Sequence, residues 1–116
     1  MAVVLVVEDD ILTSLSICAD LRAAGYEVLA APDAGEAIKI LETRNDVSTI
    51  FTDIMMPGSM DGLALAAAVR DRWPPVNIVI TSGMKRPRDD EIPVRSVFIP
   101  KPYEGAEVVK AIRGFS

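Results

Sequence analysis

The 116-residue chain contains no histidine and a single cysteine, Cys18. Without histidine there is no imidazole general base and no histidine-ligated metal. With one thiol no internal disulfide forms, and a reducing, cytoplasmic setting is expected. No apolar run approaches the length of a membrane span. The apolar opening Ala2–Val7 lacks a positive flank and runs into Glu8-Asp9-Asp10, unlike a signal peptide. Basic residues are also short: 12 Lys and Arg against 17 Asp and Glu give a net charge of −5, which argues against a nucleic-acid partner. What remains is an ordinary soluble composition, 50% hydrophobic and 25% charged, at a length that suits one domain spanning 1–116.

The hydrophobic pattern alternates between two periods. Val3–Val7 is a continuous β-branched run, as in a strand covered on both faces. From Ile11 the spacing is helical, with Leu12, Leu15, Ile17, Cys18 and Leu21 as the apolar positions and Gly25 as the stop. Tyr26–Ala31 reads as a second strand, broken by Pro32. Asp33 and Glu36 then form a capping-box-like start for a helix carrying Ala37, Ile38 and Leu41. Ser48–Thr52 is a third strand ending at Asp53. A helix from about Asp61 to Arg72 follows, and Pro74-Pro75 ends it. Val76–Ile80 is a fourth strand leading to Thr81-Ser82-Gly83. The stretch Met84–Pro93 is too polar, and too interrupted by Pro87, for a core-facing helix, so a loop with at most a turn or two of helix is expected. Val94–Ile99 is a fifth strand, and Tyr103–Arg113 a last amphipathic helix.

Strands alternating with helices imply a parallel sheet covered on both faces. Five such strands suit an α/β, flavodoxin-like, doubly wound sheet of order 2-1-3-4-5 with its fourth helix short or absent. Ligands of such sheets sit beyond the carboxyl ends of the strands. The residues there are Glu8, Asp9 and Asp10, Asp53, Thr81 and Ser82, and Lys101. Strands one and three are neighbours in this order, so Glu8, Asp9 and Asp53 should converge. Clustered carboxylates repel, and Mg²⁺ would relieve them while leaving coordination positions for water and phosphate oxygens. Lys101 adds a cation, and Ser82 or Thr81 a hydroxyl. Together they suit a transferred phosphoryl group. Asp10 reads as a helix cap or a solvent-facing residue rather than a ligand.

Four segments in order, Val6-Val7-Glu8-Asp9-Asp10, Asp53-Ile54-Met55-Met56-Pro57 through Gly62, Ile80-Thr81-Ser82-Gly83 and Phe98-Ile99-Pro100-Lys101-Pro102-Tyr103, resemble the receiver domain of two-component response regulators. The match extends over essentially the whole chain, and a weaker one points to short, stand-alone bacterial receivers. The resemblance implies that Asp53 is the phosphoacceptor and that Mg²⁺ is held by Glu8, Asp9, Asp53 and the carbonyl of Met55. It also implies that Lys101 pairs with the acyl phosphate, that Ser82 is the switch hydroxyl and Phe98 the switch aromatic, and that Lys101-Pro102 is cis. The implied partner is a sensor histidine kinase or a histidine phosphotransfer protein, with an unidentified downstream protein and neither nucleic acid nor membrane.

Two departures stand out. The loop from Asp53 to Gly62 is one residue longer than usual, a difference assigned to Gly58-Ser59, and Met84–Pro93 is poor material for the fourth helix. In the family resembled, the positions two past the phosphoacceptor and two past the switch hydroxyl tune phosphoryl lifetime; here they are Met55 and Met84, neither able to hold a water by a strong hydrogen bond, so slow self-dephosphorylation is expected. The chain ends about a dozen residues after Tyr103, so output by protein contact or phosphoryl relay is expected rather than an enzyme. A start at Met1 favours a natural beginning over a receiver cut from a larger regulator or hybrid kinase. A small aspartyl phosphohydrolase fits less well, because Met55 stands where its second acid belongs. A dinucleotide binder lacks its glycine-rich loop.

Overall fold

The computed structural model describes residues 2–58, 60–84 and 86–115. Five strands, β1 (Val3–Val7), β2 (Glu27–Ala31), β3 (Val47–Asp53), β4 (Asn77–Ser82) and β5 (Ser96–Pro100), form one parallel sheet in the order β2-β1-β3-β4-β5. Four helices connect or follow them: α1 (Ile11–Ala23), α2 (Ala34–Thr43), α3 (Gly62–Arg72) and α4 (Gly105–Arg113). This is the flavodoxin-like arrangement expected. Between β4 and β5 the described residues hold only a 3-10 turn, Asp89–Glu91.

The central strands carry apolar residues on both sides because both sides are covered. Val3, Leu5, Val7, Ile50, Ile78 and Ile80 pack with Leu65, Ala66 and Val69 of α3 and with Ala34, Ala37 and Leu41 of α2. The opposite side buries Val4, Val6, Phe51, Val79 and Ile99 against Ile17, Cys18 and Leu21 of α1 and Val108 and Ile112 of α4. Polar residues fix where the helices start. The Asp33 side chain accepts a hydrogen bond from the Glu36 N–H at 2.9 Å, and Asp61 accepts one from the Ala64 N–H at 2.9 Å.

Three expectations need correction. Leu12 and Leu15 do not face the core: they are 74% and 61% exposed, beside Ile11 at 70%. Helix α1 is apolar on more than one side, so periodicity alone misassigns its inner stripe, which is Ser14, Ile17, Cys18 and Leu21. Val94 lies outside the fifth strand. It is exposed and precedes Arg95, whose φ of 59° turns the chain before β5 begins. Arg70 of α3 holds this turn in place, its guanidinium donating to the carbonyls of Val94 (2.9 Å), Arg95 (3.2 Å), Pro74 (2.7 Å) and Val76 (2.8 Å). Burial, then the neighbouring Arg95 charge, pulls the Arg70 pKa down. The last helix begins at Gly105 rather than Tyr103.

Candidate phosphoryl-acceptor site

The carboxyl ends of β1, β3, β4 and β5 bring the expected residues together. Carboxylate oxygens of Glu8, Asp9 and Asp53 all lie within 4.8 Å of one another. Glu8 and Asp53 are buried and Asp9 is exposed. Glu8 is held from below: its Oε1 accepts the Asp10 N–H at 3.0 Å. Asp53 Oδ1 accepts the Met55 N–H at 3.2 Å. Lys101 closes the far side, with Nζ 2.6 Å from Asp53 Oδ2 and 3.6 Å from Glu8 Oε2.

The electrostatics follow from this crowding. Burial, reinforced by Asp53 and opposed by the Asp10 N–H and by Lys101, pushes the Glu8 carboxyl up to about 7. Burial alone would pull Lys101 down, but Asp53 and Glu8 reverse this and leave its pKa raised. Tyr103, edge-on to Phe51 at 5.4 Å, is pushed up to about 12, first by burial and then by the negative charge of Glu8, Asp53 and Asp20. One lysine against three carboxylates leaves a net negative pocket. An all-oxygen donor set with one member open to water is chemically suited to a hard divalent cation that keeps part of its hydration.

The loop after β3 depends on close backbone approach. A Cβ on Gly62 would overlap the Asp53 carbonyl oxygen, and the Gly62 N–H donates to the Ile54 carbonyl at 2.9 Å. Gly58, expected to absorb the extra loop residue, has φ +103°, a backbone conformation that favours glycine. Its partner in that expectation, Ser59, lies outside the described residues. Met55 is exposed on this loop. Asp10 occupies the N-cap position of α1: its carbonyl accepts the Ser14 N–H at 2.9 Å, but its side chain caps no backbone N–H and accepts instead from the Thr13 hydroxyl at 2.5 Å.

On β4, Ser82 is buried, and its Oγ accepts the Met84 N–H at 3.4 Å. Phe98 is half-buried, beneath the Arg86 guanidinium at 5.4 Å from the ring centroid. Pairing of Ile80 with Phe98 and of Ser82 with Pro100 puts Ser82 and Phe98 on one face. The Lys101-Pro102 peptide is cis. The Arg86–Phe98 contact was not legible in the sequence; a basic residue in a polar loop carries no signal of what it covers.

The family model of the response regulator receiver domain matches residues 4–113. Among curated relatives, a putative NtrX-like response regulator of Rickettsia felis is 33% identical over 81 residues, covering 69% of this chain and 17% of the relative. The transcriptional regulatory protein PrrA of Mycobacterium bovis is 32% identical over 120 residues, covering 95% of this chain and 48% of PrrA. The chain therefore spans less than half the length of either relative. A response regulator receiver protein from Sinorhizobium medicae superposes with a TM-score of 0.90 at 24% identity, covering 97% of this chain and 92% of that one. Fold and sequence together define a two-component signalling module: the chain belongs to the response regulator receiver domain family.

Proposed function

We propose that this receiver domain accepts a phosphoryl group on Asp53 from a phosphohistidine of a sensor histidine kinase or histidine phosphotransfer protein. An Asp53 carboxylate oxygen attacks phosphorus, the phosphorus–nitrogen bond breaks, and the imidazole leaves with a proton from solvent. The observation carrying this reading is the 2.6 Å contact between Lys101 Nζ and Asp53 Oδ2 inside the three-carboxylate cluster. A carboxylate so placed is anchored through Oδ1 by the Met55 N–H and faces a cation able to follow the negative charge onto the phosphoryl oxygens.

Glu8, Asp9, Asp53 and the Met55 carbonyl would hold Mg²⁺, which neutralises phosphoryl charge when bound. Ser82 supplies a hydroxyl to the phosphoryl group, and Phe98, on the same face, follows it inward. The face around Phe98 and the Arg86 loop then presents a different surface to a downstream protein, as a two-state population shift. The domain catalyses only its own phosphorylation and dephosphorylation, and it acts in the cytoplasm, without nucleic acid or membrane. Among the described residues no helix is long and apolar enough to cross a membrane.

Intact-mass measurement with Mg²⁺ and acetyl phosphate tests the reading. One phosphoryl is expected on the wild type and none on Asp53→Ala. Uptake by the variant, or none by the wild type, overturns it.

A further inference from the structure

Lys101 leaves the end of β5 and meets Asp53 at the end of β3, so its side chain crosses β4. Sheet register fixes what lies beneath it. Thr81 pairs with Asp53 on one side and with Ile99 on the other. Neighbours in one row of a parallel sheet point to the same side, so Thr81 shares the face of Asp53, on the side where Val79 and Ile99 pack under α1 and α4. Ser82 takes the opposite side. The lysine stem passes over Gly83, where an added Cβ would stand 3.4 Å from Lys101 Cβ and 3.6 Å from its Cδ. Thr81 and Gly83, two apart, face the same way, which sets the Thr81 side chain on the side that the lysine crosses.

Thr81 is fully buried, and its Oγ1 has no hydrogen-bond partner among the described residues. Valine would fill the same space without a polar atom, so a buried unpaired hydroxyl calls for an explanation. The ammonium offers three donors, and Asp53 Oδ2 and Glu8 Oε2 face it as ion-pair partners.

We propose that Thr81 is a positioning residue, whose hydroxyl accepts a hydrogen bond from the Lys101 ammonium when a phosphoryl group on Asp53 draws that ammonium off Oδ2. The proposal rests on Asp53 phosphorylation. Forming the acyl phosphate moves negative charge from the carboxylate to the phosphoryl oxygens, and the lysine must move with it. A fixed acceptor beneath its path restricts where the charge comes to rest.

The test compares the full chain with Thr81→Val and Thr81→Ser, following phosphorylation by acetyl phosphate in Mg²⁺ by intact mass. Thr81→Val is expected to slow phosphorylation about ten-fold, the size of one hydrogen bond to a charged group, while melting no lower than the wild type. Thr81→Ser is expected to restore the rate to within about two-fold, which a purely steric role would not require. Thr81→Ala serves as a second hydroxyl-free variant if valine packs badly. A valine variant as fast as the wild type, or a serine variant as slow as valine, overturns the proposal and leaves the Asp53 reading intact. A wild type that takes up no phosphoryl overturns both.

Discussion

Lys101 Nζ lies 2.6 Å from Asp53 Oδ2, joining the last strand of the sheet to the third across the one between them. The lysine is 28% exposed and the aspartate 7%, so the pair is neither a surface ion pair nor a fully buried one.

Removing the cation leaves three carboxylates facing one another. Lys101→Met is expected to lower stability by about 2 kcal/mol, below the range for breaking a fully buried pair. Mg²⁺ should recover part of the loss. Urea titrations with and without the ion check both statements, and an unchanged midpoint would contradict them.

Gly58 in the loop after β3 and Gly62 at the start of α3 should respond differently to the same change. Gly62→Ala forces a methyl against the Asp53 carbonyl and should cost about 3 kcal/mol or more. Gly58→Ala meets no atom within 4 Å and carries only the penalty of its positive φ, about 1 kcal/mol. Thermal melts of the two variants rank them.

The acyl phosphate is expected to be long-lived. Met55 and Met84 are both exposed thioethers beside the site, and neither orients a water strongly. Decay of the phosphorylated protein should take minutes or longer, and a half-life of seconds would refute this. Replacing Met55 with a residue that orients water, as in Met55→Asn, should shorten the lifetime.

Alkaline behaviour follows from Tyr103. Its phenol is raised to about 12, so between the unfolded value of 10.0 and that point the folded chain keeps a proton the unfolded chain has lost. Stability therefore falls as pH rises through that window. Tyr103→Phe should flatten that part of the profile and remove a late step from the ultraviolet absorbance titration. An unaltered titration curve would refute the assignment.

Arg70 should tolerate no replacement by lysine. One guanidinium serves four carbonyls in a planar fork that an ammonium cannot reproduce. Arg70→Lys and Arg70→Ala should both speed amide exchange in residues 94–97, and protection equal to wild type in the lysine variant would count against this.

The strands were legible because each is a short, largely apolar run, and four of the five close on an acid, a hydroxyl or a lysine. Val3–Val7 followed by Glu8-Asp9 is the clearest case. The poor helical quality of Met84–Pro93 was also visible, in its charge and in Pro87. Other features depend on tertiary detail. Leu12 and Leu15 keep helical spacing yet face outward, because an apolar helix does not state which side it buries. Val94 looks like strand, but the chain turns there, held by Arg70. The rigid need for Gly62, and the different faces of Thr81 and Ser82, appear only once loop path and register are known.

Lys101 lies 48 positions along the chain from Asp53, and Glu8 and Asp9 belong to a third segment, so no short stretch of polypeptide contains the site. An unfolded or partly assembled chain has nothing comparable to offer a cation. An ion bound by Glu8, Asp9 and Asp53 as proposed would therefore report native assembly: by mass action, each tenfold rise in free ion above its dissociation constant would add about 1.4 kcal/mol to the folded state.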